Sequence, residues 1–398
     1  MPLWCRALSP ILIMQFRLFR RQSSGSISES ARSGSPASST DSEVADSRVA
    51  DLWIKLEALK HTRDWASNNN KEVAVNISGV GCSKKHGVTA TSEDGTITHI
   101  HANKIGIPEE SNSTAPHYLA GQSPESGSLD AILAQGIESG LGIYQFVSRN
   151  AHKNEGESSK KTILAMLNER IERGEKPENG EELKIAGKYK IISLKDREIV
   201  YDPYSQYDLK VEVIDSEPRR EISIPITQAG YPFRGAVLQA EDIAHAHGAL
   251  NKHIRSYLIP TPTAQSETGQ IHPLILSHAG IGRNATLITY DRIINLINHK
   301  TPAERITTAA DLDNKLLELI TEGRKARGPQ FIHSREQLAA LRKALIKEIE
   351  GWKGEQDKQT KDNVRFQQAG TRHLWFNRLF SGIPLKQLLT STKEKTGK

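Results

Sequence analysis

The sequence predicts an α/β fold with a central mixed sheet flanked by helices, and three observations carry that prediction. Residues 72–107 alternate in short segments punctuated by Gly79, Gly81, Gly87 and Gly95, the mark of strands joined by turns. The last third of the chain holds three runs with helical apolar spacing, 285–298, 309–325 and 334–352. An apolar run, His272-Pro273-Leu274-Ile275-Leu276, leads into the first of them through a glycine-bearing loop. A buried strand passes in this way into a helix that covers its sheet.

In chain order, residues 51–60 have helical apolar spacing and open the folded part. After the strands of 72–107, residues 129–147 read as a helix leading into a strand. The charged stretch 152–161 is expected to be a loop and 162–173 a short helix. Strand candidates follow at 189–194, 209–214 and 221–226, then a helix at 240–258 and a polar loop at 260–270. The expected division is a Ser-rich leader over 1–50, one domain over 51–352 and a C-terminal tail over 353–398. The tail's aromatic cluster, Trp375, Phe376 and Phe380, either packs back on the domain or docks a partner.

Composition narrows the function. With 37% hydrophobic residues in 398, the chain can fill the core of one large domain. Cys5 and Cys82 lie far apart and outside any metal-ligand spacing. Neither a disulfide framework nor a metal site is expected, and a reducing compartment fits. The net charge of +6 comes without a Lys/Arg patch interleaved with aromatics, so nucleic acid is not an expected partner. No apolar stretch reaches the ~18 residues of a membrane span. The leader carries Arg6, Arg17, Arg20 and Arg21 without an acid and then turns Ser/Gly/Ala-rich. That composition suits a mitochondrial presequence, the leader of an exported bacterial effector, or a tail with no address.

Chemistry concentrates in Leu276-Ser277-His278-Ala279-Gly280-Ile281-Gly282-Arg283-Asn284. A strand, a tight loop and a helix N-terminus together make an anion site, because loop N–H groups converge on the ligand and the helix dipole adds positive potential. Gly280 and Gly282 let the backbone approach closely, and Arg283 can grip two phosphate oxygens. The expected phosphate contacts run from Ser277 through Arg283, with no cofactor and no metal.

This stretch resembles the signature loop of the protein tyrosine phosphatases, His-Cys-x5-Arg-Ser/Thr, with Ala-Gly-x-Gly before the arginine. Ala279-Gly280-Ile281-Gly282-Arg283 matches residue for residue, while Leu276, Ser277 and Asn284 stand at the histidine, cysteine and hydroxyl positions. Weaker likenesses keep the family's order over roughly residues 55–352. Residues 98–105 retain Ile100, Ala102, Asn103 and Ile105 of its Asp-Tyr-Ile-Asn-Ala-Asn-Tyr-Ile strand. Residues 118–124 retain Tyr118, Ala120, Gln122 and Pro124 of Tyr-Ile-Ala-Thr-Gln-Gly-Pro. Residues 327–338 resemble the segment in which Val-Gln-Thr-x-x-Gln-Tyr follows a basic stretch.

The resemblance implies a tyrosine-phosphatase-like fold and four catalytic parts, each altered here. Ser277 takes the nucleophile position, and a serine hydroxyl stays protonated where a cysteine would be thiolate. The segment 231–237 is similar to the Trp-Pro-Asp loop and puts Phe233 at the general-acid position, a group whose loss costs ~10²–10⁴ in rate. His333 takes the place of one water-positioning glutamine, and Gln337 matches the second. The phosphotyrosine-recognition tyrosine is missing from 70–77. A pseudophosphatase is therefore expected, binding a phosphorylated protein or a phosphate anion. The alternatives are an active phosphatase whose nucleophile was replaced by Ser277, and a scaffold that no longer uses the loop. A domain behind a Ser-rich leader is similar to injected bacterial effector phosphatases. That layout implies delivery into a host cytoplasm and an export chaperone on the leader, with a mitochondrial location as the alternative.

Overall fold

Four mutually parallel strands form the middle of the sheet. They belong to a computed structural model that describes residues 39–59, 65–66, 73–74, 82–83, 87–91, 97–106, 118–124, 128–148, 162–174, 183–196, 204–214, 216–231, 237–258, 274–299 and 301–381. The strands are β1 (Trp65–Ala66), β2 (Val73–Ala74), β3 (Cys82–Ser83), β4 (Gly87–Thr91), β5 (Ile97–Ile105), β6 (Tyr118–Gln122), β7 (Ile143–Ser148), β8 (Lys184–Ile185), β9 (Tyr189–Asp196), β10 (Tyr204–Val213), β11 (Arg220–Tyr231) and β12 (Leu274–Ser277). The helices are α1 (Ser39–Glu57), α2 (Leu129–Glu138), α3 (Ile163–Gly174), α4 (Ala240–Leu258), α5 (Gly282–Ile297), α6 (Ala309–Arg327) and α7 (Arg335–Ser381).

The large sheet runs β2-β5-β6-β12-β7-β11-β10-β9-β8, with β4 paired to β5 off this path, while β1 and β3 form a separate pair. The central four, β6, β12, β7 and β11, are mutually parallel. Antiparallel pairs flank them, so the sheet is mixed, as the sequence predicts. Parallel strands in the middle of a sheet need cover on both faces, and the β12 run shows how it is met. Its side chains alternate, so Leu274 and Leu276 enter one core while Ile275 enters the other. Residues of α2 and α3 pack in the first core, and residues of α1 and of α4 through α7 in the second.

A polar network sits inside the second core. The Tyr118 hydroxyl donates to Asp291 Oδ2, and His247 Nε2 lies 2.8 Å from Asp291 Oδ1. Asn295 Nδ2 also reaches Asp291, at 3.3 Å. Burial, and then the charge of Asp291, push the Tyr118 phenol well above its usual range, so it remains a donor at all ordinary pH. Further out, Arg342 grips Asp313 with two hydrogen bonds of 2.7 and 3.2 Å and ties α7 to α6.

The chain divides into Met1–Ala45 and Asp46–Lys398. Residues 1–38, the bulk of the expected leader, lie outside the described residues. Two elements are longer than the sequence suggests. α1 begins at Ser39, well before residue 51. α7 continues to Ser381, through most of the expected tail, because its run of Lys, Gln and Glu favours helix and holds no proline. Trp375, Phe376 and Phe380 lie on that helix, with side chains outside the described set. Among the described residues no helix is long and apolar enough to cross a membrane.

Replacing Asp291 by alanine strands the Tyr118 hydroxyl inside the core. Urea unfolding should show a loss of about 2–4 kcal/mol, the cost of orphaning buried hydrogen-bonding groups. An unchanged midpoint would contradict the role assigned to this carboxylate.

Candidate functional site

Parallel strands aim their C-terminal ends at one edge of the sheet, and open α/β sheets hold ligands there. β12 ends at Ser277 on that edge, and α5 begins five residues later at Gly282. Ser277 is paired with Gln122 of β6 and its carbonyl accepts from the Ser123 amide at 2.8 Å and the Gly280 amide at 3.0 Å. The residue is 2% exposed. Its place at the end of β12 is set by main-chain hydrogen bonds.

Two glycines set the shape of the turn. Gly280 has φ +69°, and a Cβ there would lie 2.5 Å from the Gln122 amide nitrogen, so only glycine fits. Gly282 opens α5 where a Cβ would fall 2.4 Å from Gln337 Nε2 and 2.7 Å from His333 Nδ1. The helix starts without a side-chain cap and without an acid in its first turn. Its first N–H groups and its dipole therefore face the loop uncompensated by a side chain. Arg283, half-buried, stands in that first turn. Asn284, fully buried, donates to Ile275 O at 2.9 Å and Gly121 O at 3.0 Å, and its Oδ1 has no hydrogen-bond partner.

Of the residues singled out in the sequence, 277 through 283 form one continuous turn, with His278 and Ala279 half-buried and Ile281 7% exposed. His333 and Gln337, more than fifty positions away, are brought against it at Gly282. Gln337 accepts from the His333 amide at 3.1 Å through Oε1, which leaves its Nε2 directed at Gly282. His333 is exposed on one side, yet the burial of its loop-facing edge holds the imidazole below its ordinary range, with Glu336 opposing the shift. Phe233 lies outside the described residues, as does most of 70–77. Among the described residues no cluster of three or more His, Cys, Asp or Glu could hold a metal.

The structure adds residues that sequence reasoning missed. Arg327, with no exposed surface, donates to Gly280 O at 3.1 Å, to Asn103 Oδ1 at 2.8 Å and to His101 O at 3.1 Å. It locks the loop carbonyl to β5. Gln145 of β7 and Gln228 of β11, both buried, pair in register beside Leu276 of β12, one position before Ser277 and Gln122. Gln145 donates to Ser123 Oγ at 3.2 Å and accepts from the Ile163 amide at 3.1 Å. The sequence offers only polar letters at the ends of apolar strands as a signal for them. Compared with known family models and with curated proteins, the chain matches none.

Gly280→Ala combines a left-handed backbone with a clash against β6 and should cost about 2–4 kcal/mol in chemical unfolding. His333 supplies a pH signature. Its depressed value means that protonation opposes folding, so its contribution to stability is complete above the ordinary 6.5 and falls away as pH drops below it. An anion at the loop favours the protonated ring. Sulfate, whose own charge is constant there, should bind more tightly as pH falls below 6.5, and His333→Gln should flatten that profile in calorimetric titrations.

Proposed function

We propose that this chain is a tyrosine-phosphatase-like protein that has lost turnover and kept a phosphate grip, a pseudophosphatase that binds a phosphorylated partner or the bare anion. The observation that carries the reading is the convergence at Gly282. The loop whose Ala-Gly-x-Gly-Arg resembles the family signature starts an uncapped helix there, and the segment proposed as the water-positioning motif packs on the same backbone atom. The N-terminal dipole, the first-turn amides and Arg283 are suited to hold a dianion. Ser277, a buried hydroxyl that stays protonated where a cysteine would be thiolate, is a poor nucleophile toward one. The mixed parallel centre of the sheet, with the loop at its carboxyl edge, is the architecture that such a domain requires. A host-cell destination for the chain belongs to the same proposal and rests on the leader's composition alone.

The full-length protein should release no measurable phosphate from an aryl phosphate while binding a phosphotyrosine peptide in calorimetry. Arg283→Ala should weaken that binding by roughly 100-fold, the worth of a two-pronged charge-assisted contact. Binding that survives Arg283→Ala unchanged would exclude the loop as the site. Ser277→Cys separates the two enzyme-related readings. Without other catalytic parts the variant should remain inactive, whereas full turnover would mean that a single replacement had silenced an otherwise working enzyme.

A further inference from the structure

A cleft of about 950 Å³ lies between the C-terminal end of α1, the end of β5, and helices α5 and α6. Its walls carry four cations, Lys55, Lys104, Arg292 and Lys325, against two carboxylates, Glu318 and Glu322. Both carboxylates are engaged. Glu322 holds Arg292 at 3.0 Å and Glu318 holds Lys315 at 2.7 Å. The Arg292 guanidinium is seated against Gly106, 3.5 Å from where a Cβ would stand. Lys55, Lys104 and Lys325 come from three separate elements and have no carboxylate partner among the described residues.

A lone exposed lysine is ordinarily solvated and means little. Three ammonium groups from separate elements converging on one half-open cleft are different, because its low-dielectric inner walls strengthen their combined field there. Leu59, Leu317 and Ala326 give the same space an apolar side. From these features we propose that the cleft is a second anion site, for a phosphate-bearing small molecule with an apolar body, a nucleoside diphosphate in charge and size. The volume falls in the ~300–1,000 Å³ range of small-molecule pockets. The site is separate from the loop at Ser277–Arg283 and shares no residue with it. Arg292 stands nine positions beyond Arg283 on α5, about 13 Å along the helix axis. Lys104 follows Asn103 and Lys325 lies between Arg324 and Arg327, so two of the lysines flank the very residues that fix the loop.

Calorimetric titration of the full chain with adenosine diphosphate in metal-free buffer tests the proposal. One nucleotide should bind per chain, with the same affinity in wild type and in Arg283→Ala. Pyrophosphate, which lacks the apolar body, should bind about tenfold more weakly. The double variant Lys104→Ala/Lys325→Ala, altered at two exposed positions, should lose about tenfold or more in affinity with its unfolding midpoint unchanged. Should that midpoint shift, Lys55→Ala on α1 provides the same test with a smaller loss. The proposal is overturned by an absence of nucleotide binding, by binding that disappears with Arg283→Ala, by lysine variants that bind as wild type does, or by pyrophosphate matching the nucleotide.

Discussion

A single buried guanidinium, that of Arg327, decides where the phosphate-type loop can be. Arginine inside a protein is tolerated only when nearly every donor finds an oxygen, because an uncompensated buried charge costs several kcal/mol. Arg327 meets that condition with the Gly280 carbonyl, the Asn103 side chain and the His101 carbonyl, which belong to the loop after β12 and to β5. The arginine therefore works as a clamp across the carboxyl edge of the sheet. Arg324, one turn earlier on α6, does the same on the other side. It donates to Leu56 O at 2.8 Å, Ile332 O at 3.2 Å and Phe331 O at 3.3 Å, and lies over the Trp53 ring. α6 thus carries two charges into the interior, and both hold backbone carbonyls as well as a side chain, Asn103 for Arg327 and Glu57 for Arg324.

The division between grip and chemistry follows from this arrangement. The grip proposed for an anion is mostly main chain, namely a glycine turn and an uncapped helix start, with one first-turn arginine. Backbone elements of this kind survive as long as the glycines and their supports survive. What performs chemistry is side chain by side chain, and each such group can be lost alone. The contact at Gly280 is with backbone and unforgiving, while that at Gly282 is with the ends of the Gln337 and His333 side chains. On the proposed reading, a loop of this kind could keep its grip after losing its reaction without any change in fold.

Much of the architecture was legible because periodicity and punctuation are local. The apolar run 272–276 announced a doubly covered strand, and Gly280 and Gly282 announced a tight turn into a helix. The same logic could not see Arg327, since its sequence context is that of a solvated basic helix end and only the tertiary fold turns it inward. Gln145 and Gln228 were invisible for a related reason. A polar residue at the end of an apolar strand looks alike whether it meets solvent or a neighbour's amide. The length of α7 was misjudged because alternating Lys, Gln and Glu describes both a polar tail and an exposed helix, and the absence of a breaker decides for helix. His333 and Gln337 were placed beside the loop by resemblance, and the contact at Gly282 gives that placement a geometry.

α7 gives the loop a mechanical connection that a compact domain would lack. Gln337 stands in its first turn, against Gly282, and the same uninterrupted helix ends at Ser381. At 1.5 Å per residue the two points are about 65 Å apart along one rod. Ile349 is buried in the second core, Trp352 packs against it, and positions 353–355 are exposed. A helix of that length ties the position of its first turn to whatever its far end meets. A small rotation about its axis would shift Gln337 against Gly282.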